Sequence, residues 1–376
     1  MSDSVKSEIQ FMQYNNKIAP HFKKNAEADM HFKALREQVN HQLKTLPYSR
    51  LLILRWKALL LPLLYAGTYI LALFQNRYFL FCLSYMFLGI LIVIIFLNLI
   101  HEASHNNLFK EKKSNKRFML FFDAIGANSY MWNKRHISLH HNFTNVDGWD
   151  SDIEKSRFLK VHPDAKKKVN KFHHWLIFLY PLFITNWFLI RDFKDFFDAK
   201  TIVRKLGKVP FKEFIKLFFF KFFFIGYLVA IPVLITPFAW WQLILALFIM
   251  LVTAGLLALI VLLPPHVNTS NQFPLVSDNM HLPDSWLMHQ LNTTNDVVTC
   301  NWFTRHVMAN CNFHIVHHLF PNISHVYAKE VTDIIVAYNL QTGLPFRKYP
   351  LFTTFKNHYT LIRKNGRWSD LLEEDM

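Results

Sequence analysis

The sequence predicts an all-α integral membrane protein whose four transmembrane helices pair into two hairpins, and three observations predict it. Of 376 residues, 52% are hydrophobic, 38 are Phe and only 9 are Gly. Few water-soluble domains carry so large an apolar excess, and the mean hydropathy of +0.13 agrees. Four apolar runs reach the length that a hydrocarbon core demands. The net charge of +16 is concentrated in Lys and Arg that flank those runs. Such an arrangement suits anionic lipid headgroups, and no basic module with exposed aromatics suggests a nucleic-acid partner.

Along the chain, "MSDSVKSEIQFMQYNN" is polar and lacks the apolar core of a leader peptide. The first thirty residues are expected to be mobile. Residues 1–50 form a cytosolic N-terminal segment, in which Phe32, Leu35, Val39 and Leu43 recur at helical spacing and predict a surface helix over 30–46. The spans fall at 58–74, 78–100, 214–237 and 239–263, and the second has no charged residue. It makes about 34 Å of helix at ~1.5 Å per residue. Only "QNR" separates the first two spans, and a turn at "TPFAW" separates the last two, so each pair forms a hairpin.

Lys44, Arg50, Arg55 and Lys57 precede the first span, and a basic segment precedes the third. The positive-inside rule then places both termini and the segments 101–213 and 264–376 in the cytosol, as one cap of a single domain. Lys216 and Lys221 are expected to snorkel to that surface. The run "WLIFLYPLFITNWFLI" at 175–190 is short, holds Pro181 and Asn186, and is flanked by Lys171 and Arg191, so it is expected to lie in the interface. The Phe-rich stretch at 218–224 is expected to face lipid. Cys82, Cys300 and Cys311 are too few and too dispersed for a disulfide framework or a zinc ribbon.

Three of the chain's histidine clusters carry chemistry. "HEASH" sets His101 and His105 at the cytosolic end of the second span, "HISLHHN" holds His136, His140 and His141, and "NFHIVHHLFPN" holds His314, His317 and His318. Spacings of three and four residues put rings on one helical face, so each cluster can offer two or three imidazoles to one point. No span separates the first two clusters and two separate the second from the third, so all three share the cytosolic face if 175–190 does not cross. Imidazole suits iron, zinc, copper and nickel. Eight rings exceed what one ion with open positions uses, which implies two metals. A histidine-rich pair fits iron that activates oxygen against unreactive C–H bonds.

"HEASH", "RHISLHHNFTNVDGWDSDIE" and "NFHIVHHLFPNISHVYAKEV" resemble the three histidine boxes of membrane fatty acid desaturases, nearest to the bacterial linoleoyl-CoA desaturase-like branch. The resemblance runs from about residue 50 to 350 and includes "HQLNTT" at 289–294. It implies a four-helix membrane base under a cytosolic helical cap that holds a di-iron site. It also implies insertion of a double bond into a fatty acyl chain (CoA- or lipid-linked) with O2 and two electrons. The iron ligands so implied are His101, His105, His136, His140, His141, His314, His317 and His318, joined by His266 in "LLPPHVN". The sequence departs from the family in three places: Leu262 where an Asn accompanies that His, His314 where the branch has Gln, and Glu102 where it commonly has Asp. No His-Pro-Gly-Gly haem signature appears, so a separate carrier, ferredoxin or cytochrome b5 with its reductase, is expected to supply electrons. A multi-pass protein of a bacterial inner membrane follows.

Ordinary hydrogen-bonded or surface roles are expected for His173, His174, His289 and His325. Asp147, Asp150 and Asp152 stand ready to steady ligand N–H groups, and Glu102 to bond a ligand ring or face solvent. Two alternatives are a related di-iron hydroxylase or ketolase, and a non-catalytic metal- or lipid-binding membrane protein. Metal transport would place His or acidic residues inside the spans, and here they lie at the ends.

Overall fold

The computed structural model describes residues 19–154, 158–164, 169–298 and 301–374. It is mostly helical, and among the described residues one two-residue parallel strand pair joins 296–297 to 348–349. Among the described residues, five helices are long and apolar enough to cross a membrane: α2 (Ser49–Leu73), α3 (Tyr78–Ser104), α6 (His173–Phe197), α7 (Phe211–Ile235) and α8 (Trp240–Leu262). Around them lie α1 (Ala26–Leu43), α4 (Lys112–Ala124), α5 (129–140), α9 (Trp286–Thr293), α10 (His314–Leu319), α11 (Ala328–Thr342) and α12 (Leu351–Glu374).

The bundle core is the α3–α8 contact. Leu243, Ala246, Leu247, Met250, Ala254 and Ala258 recur at helical spacing and bury against Phe81, Tyr85, Leu88 and Ile92. Small residues set the approach: a Cβ on Gly89 would stand 2.2 Å from the Met250 carbonyl oxygen, so any side chain there forces the helices apart. The outer faces stay apolar and exposed, with Leu60, Leu71, Phe219, Phe222 and Leu234 all more than half exposed. In the Phe-rich stretch 218, 219, 222 and 223 take this outward role, but Phe224 turns inward and is 1% exposed. Several hydroxyls within the bundle find internal partners, as the scarcity of water there requires, and those of Tyr65 and Tyr227 pair with each other at 2.9 Å. Tyr85 donates to the Leu228 carbonyl at 2.6 Å, where α7 loosens into a π turn over Gly226–Ala230.

Several expectations change. Residues 19–30 are not loose: the His21 N–H donates to Met280 O at 2.8 Å, and α1 starts at Ala26 because Asn25 caps it, accepting from Glu27 N at 3.0 Å and Ala28 N at 3.1 Å. Residues 1–18 lie outside the described residues. The apolar face of α1 is covered by protein, since Leu35 and Val39 pack on Ile315, Leu319 and Ile335 behind the third histidine cluster. Lys221 does not reach a surface. It is buried and donates to Gly126 O, Phe188 O and Asp192 Oδ2 at 2.6, 2.6 and 2.8 Å. Lys216 pairs with Asp123 at 2.7 Å. Cys82 and Cys311 are free thiols, and Cys300 lies outside the described residues.

The α6 helix contains the run expected in the interface. It is irregular, opening as a 3-10 helix through Pro181 and passing through a π turn at Trp187–Arg191. Its backbone lies directly on α8: a Cβ on Gly255 would meet the Pro181 carbonyl oxygen at 1.9 Å.

Candidate metal centre

Each histidine cluster is delivered by a backbone with a local reason for its shape. The α3 helix loosens into a π turn over Phe96–Ile100 and recovers to carry His101 and His105 one α-turn apart. Buried Asn98 sits in that turn, donates to Ile94 O at 3.0 Å and accepts from Lys57 Nζ at 2.8 Å. The second cluster lies on a π stretch, Asn133–His140, with the His141 N–H donating to His136 O at 3.0 Å. The wider turn brings rings five residues apart into line. His136 and His141 therefore face each other, their Nε2 atoms 3.1 Å apart, while His140 leaves in another direction. The third cluster is the short α10, whose first turn is held by Asp296: its Oδ1 accepts the Ile315 N–H at 2.8 Å.

These elements converge into two groups. His101, His105, His136 and His317 have ligand atoms within 4.8 Å of one another, and so do His140, His266, His314 and His318. Either set is placed to hold a metal ion. Each of the second and third clusters therefore serves both groups, against the expectation of one point per cluster. The physical reason is angular: the π stretch separates His140 from His136, and on α10 His314 and His318 align while His317 projects to the side. His141 sits between the groups, its ring centroid 4.8 Å from that of His105 and 4.6 Å from that of His318. His266 lies just past α8, with its Nε2 3.1 Å from His318 Nε2.

The donor set fits metal better than a hydrogen-bonded histidine core would. His101 Nε2 and His136 Nε2 approach to 3.1 Å, and the buried Nε2 atoms of His105 and His317 have no hydrogen-bond partner among the described residues. Burial pushes the His105 and His314 imidazoles down to about 3, with neighbouring rings adding to the effect at His314. It drives His136, His141, His317 and His318 well below their ordinary value as well, again with help from adjacent rings. All six are neutral donors at physiological pH, the form that binds metal.

Outer partners fix several rings. The His140 Nδ1 lies 3.1 Å from Asp150 Oδ1, and His318 Nδ1 lies 3.0 Å from Gln290 Oε1. Backbone carbonyls serve the rest of the second group: Thr293 O for His266 and Cys311 O for His314, both at 3.3 Å. A donor at Nδ1 leaves Nε2 free for metal. Of the three aspartates following the second cluster, Asp150 alone is buried, while Asp147 and Asp152 stay exposed.

The sequence from residue 77 to 350 matches the family profile described as fatty acid desaturase. The chain belongs to the fatty acid desaturase family. A relative named sn-1 linoleoyl-lipid 6-desaturase, from Arthrospira platensis, is 28% identical over 271 residues, covering 71% of this chain and 73% of its own. A protein of the same name from Synechocystis is 27% identical over 296 residues, 77% of this chain and 80% of its own. An acyl-lipid (8-3)-desaturase from Physcomitrium patens is 27% identical over 311 residues, 80% of this chain and 64% of its own. The chain is thus an oxidoreductase of fatty acyl chains in a membrane setting.

Other expected residues of the desaturase fall outside both groups. Glu102 neither bonds a ligand ring nor faces solvent: it is buried and pairs with His325, Oε1 to Nδ1 at 3.0 Å. His173, His174 and His289 are buried too, the last beneath the edge of Phe22. Sequence reasoning missed Gln290 as the anchor of His318, although it lies inside the quoted "HQLNTT".

Proposed function

We propose that this protein is a di-iron, O2-dependent acyl-lipid desaturase. His101, His105, His136 and His317 hold one iron, and His140, His266, His314 and His318 hold the other. His141 is a ninth ligand, its Nε2 3.1 Å from His136 Nε2. The observation that carries this reading is the pair of four-histidine groups, each with ligand atoms within 4.8 Å, in a chain of this family. Relatives named for linoleoyl-lipid support a lipid-linked acyl substrate.

Bound iron would supply the one-electron chemistry with O2 that breaks unactivated C–H bonds. The chain's own residues supply position. Neutral imidazoles present Nε2 inward, Asp150 and Gln290 fix the tautomer and tilt of His140 and His318, and burial excludes water that would intercept reactive species. The acyl chain enters from the bilayer beside these groups.

In this reading α2, α3, α7 and α8 cross the membrane, and α6 lies at the cytosolic interface. Contacts at both ends of α6 support that placement. Near its start Tyr180 meets His358 at 3.1 Å, and His358 Nδ1 meets Val267 O, next to His266, at 2.6 Å. Near its end Asp192 pairs with Arg135, next to His136, at 3.1 Å. Electrons come from a separate acidic carrier drawn to the basic cytosolic face, so reduction should slow steeply with added salt; a rate indifferent to ionic strength speaks against it.

The test is expression in a bacterium beside a His318→Ala control, with total fatty acids profiled by gas chromatography–mass spectrometry. A new unsaturated species with the unaltered protein alone establishes desaturation and its bond position. An oxygenated product instead marks a hydroxylase, and purified protein without iron overturns the reading.

A further inference from the structure

Asn145 occupies the left-handed backbone region at φ +60°, four residues past the second histidine cluster, and is fully buried. Its amide nitrogen Nδ2 stands 3.1 Å from His266 O, 3.1 Å from Gln272 O and 3.3 Å from Thr293 O. Two amide protons thus serve three carbonyls. Two of those carbonyls bear directly on His266: one is its own, and Thr293 O is the acceptor for its ring Nδ1 at 3.3 Å. The backbone N–H of Asn145 points the other way, donating to Asp150 Oδ2 at 2.8 Å, while Asp150 Oδ1 holds His140 Nδ1 at 3.1 Å. One residue therefore grips His140 through its backbone and His266 through its side chain. His266 needs such a grip, because it follows α8 in a non-helical loop with no helix to aim it.

We propose that Asn145 is a positioning residue that assembles the second histidine group, locking the loop ligand His266 to the cluster ligand His140. The proposal rests on the metal-site reading above. It makes the two groups unequal in their dependence on Asn145: His101, His105, His136 and His317 have no hydrogen bond to Asn145 among the described residues, so their metal should survive its loss. Outer partners of this kind typically matter by about 10–100-fold in metal affinity.

The test measures iron per purified chain, with desaturation followed in parallel. In N145G the left-handed backbone is retained at no steric cost, so only the amide is lost. In N145D the volume is kept, but an acceptor faces three carbonyls. The control is N339A, since Asn339 is another buried amide, gripping Pro345 O at 2.9 Å outside both histidine groups. The expected result is a fall from about two irons to about one in N145G and N145D, with about two kept by N339A, as a 10–100-fold affinity loss implies. Full iron content in N145G overturns the positioning role alone. So does equal loss in N339A, or failure of both Asn145 variants to fold, because either makes the residue a general structural one. Iron-free unaltered protein removes the reading beneath the proposal, and the proposal with it.

Discussion

The first histidine group is carried on helices and their ends, whereas the second adds His266 from a loop and is held from behind at every ring. His101 and His105 share one face of α3, and His136 lies under Trp132, the two rings stacked with centroids 4.3 Å apart. In the second group every ring has an outer partner at Nδ1: Asp150, Thr293 O, Cys311 O or Gln290. A helix-borne ligand inherits its aim from backbone geometry. A ligand in a loop must be aimed by hydrogen bonds from other parts of the chain, and those bonds become points of vulnerability.

The sharpest way to break this comparison uses neighbours on α10. His317 and His318 are adjacent in sequence but belong to different groups. Each single alanine substitution should bring desaturation below detection while leaving about one iron of about two, since four protein ligands remain for the untouched ion. Loss of both irons from either variant would show one shared site in place of two.

A stability test comes next. Lys221, from α7, is paired at 2.8 Å with Asp192, which in turn contacts Arg135 at 3.1 Å beside His136. Substituting Lys221 by Met leaves a buried carboxylate short of a partner, and should destabilise the protein by about 3–5 kcal/mol. Thermal unfolding in detergent measures it; a shift of under a degree would show that the network is not needed to seat the first group.

Asp150→Asn should separate the groups more gently. It removes the charge behind His140, and should weaken the second iron by about 10–100-fold while the first is retained. Timed chelation reads both ions on one sample, and equal release rates would erase the distinction.

Acid, by contrast, should not discriminate. Burial holds both His105 of the first group and His314 of the second to about 3, against about 6.5 in an unfolded chain. The folded value is the lower one, so protons favour the unfolded state. Stability of the metal-free protein should be full above about pH 6.5 and fall as pH drops from there toward 3. Denaturant midpoints at several pH values check the slope, and a flat profile over that range would contradict the burial of these rings. The smallest effect lies farthest from the comparison: Asn25→Ala removes the α1 cap and should cost about 1 kcal/mol with iron content unchanged.

Periodic features were legible in the sequence. The apolar runs located α3, α7 and α8 to within a few residues, whereas α2 begins at Ser49, well ahead of the expected 58. The HxxxH spacing of His101 and His105 foretold a shared face, because an α-helix fixes that geometry locally. Its extension to the second cluster failed, since nothing in "HISLHH" announces a π stretch. The α1 start was missed although Asn25 with Glu27 and Asp29 forms a readable cap.

By itself, then, the sequence determined the membrane class and the three histidine clusters, because residue type and spacing act over one or two helical turns. Only the tertiary structure decided how eight of the nine rings divide into two groups of four, with His141 between them. That partition depends on a π turn, on the side-chain directions of the six-residue α10, and on contacts such as Gln290 to His318, 28 residues apart, and Asn145 to His266, 121 apart. Interactions across such separations arise from packing, and no local pattern encodes them.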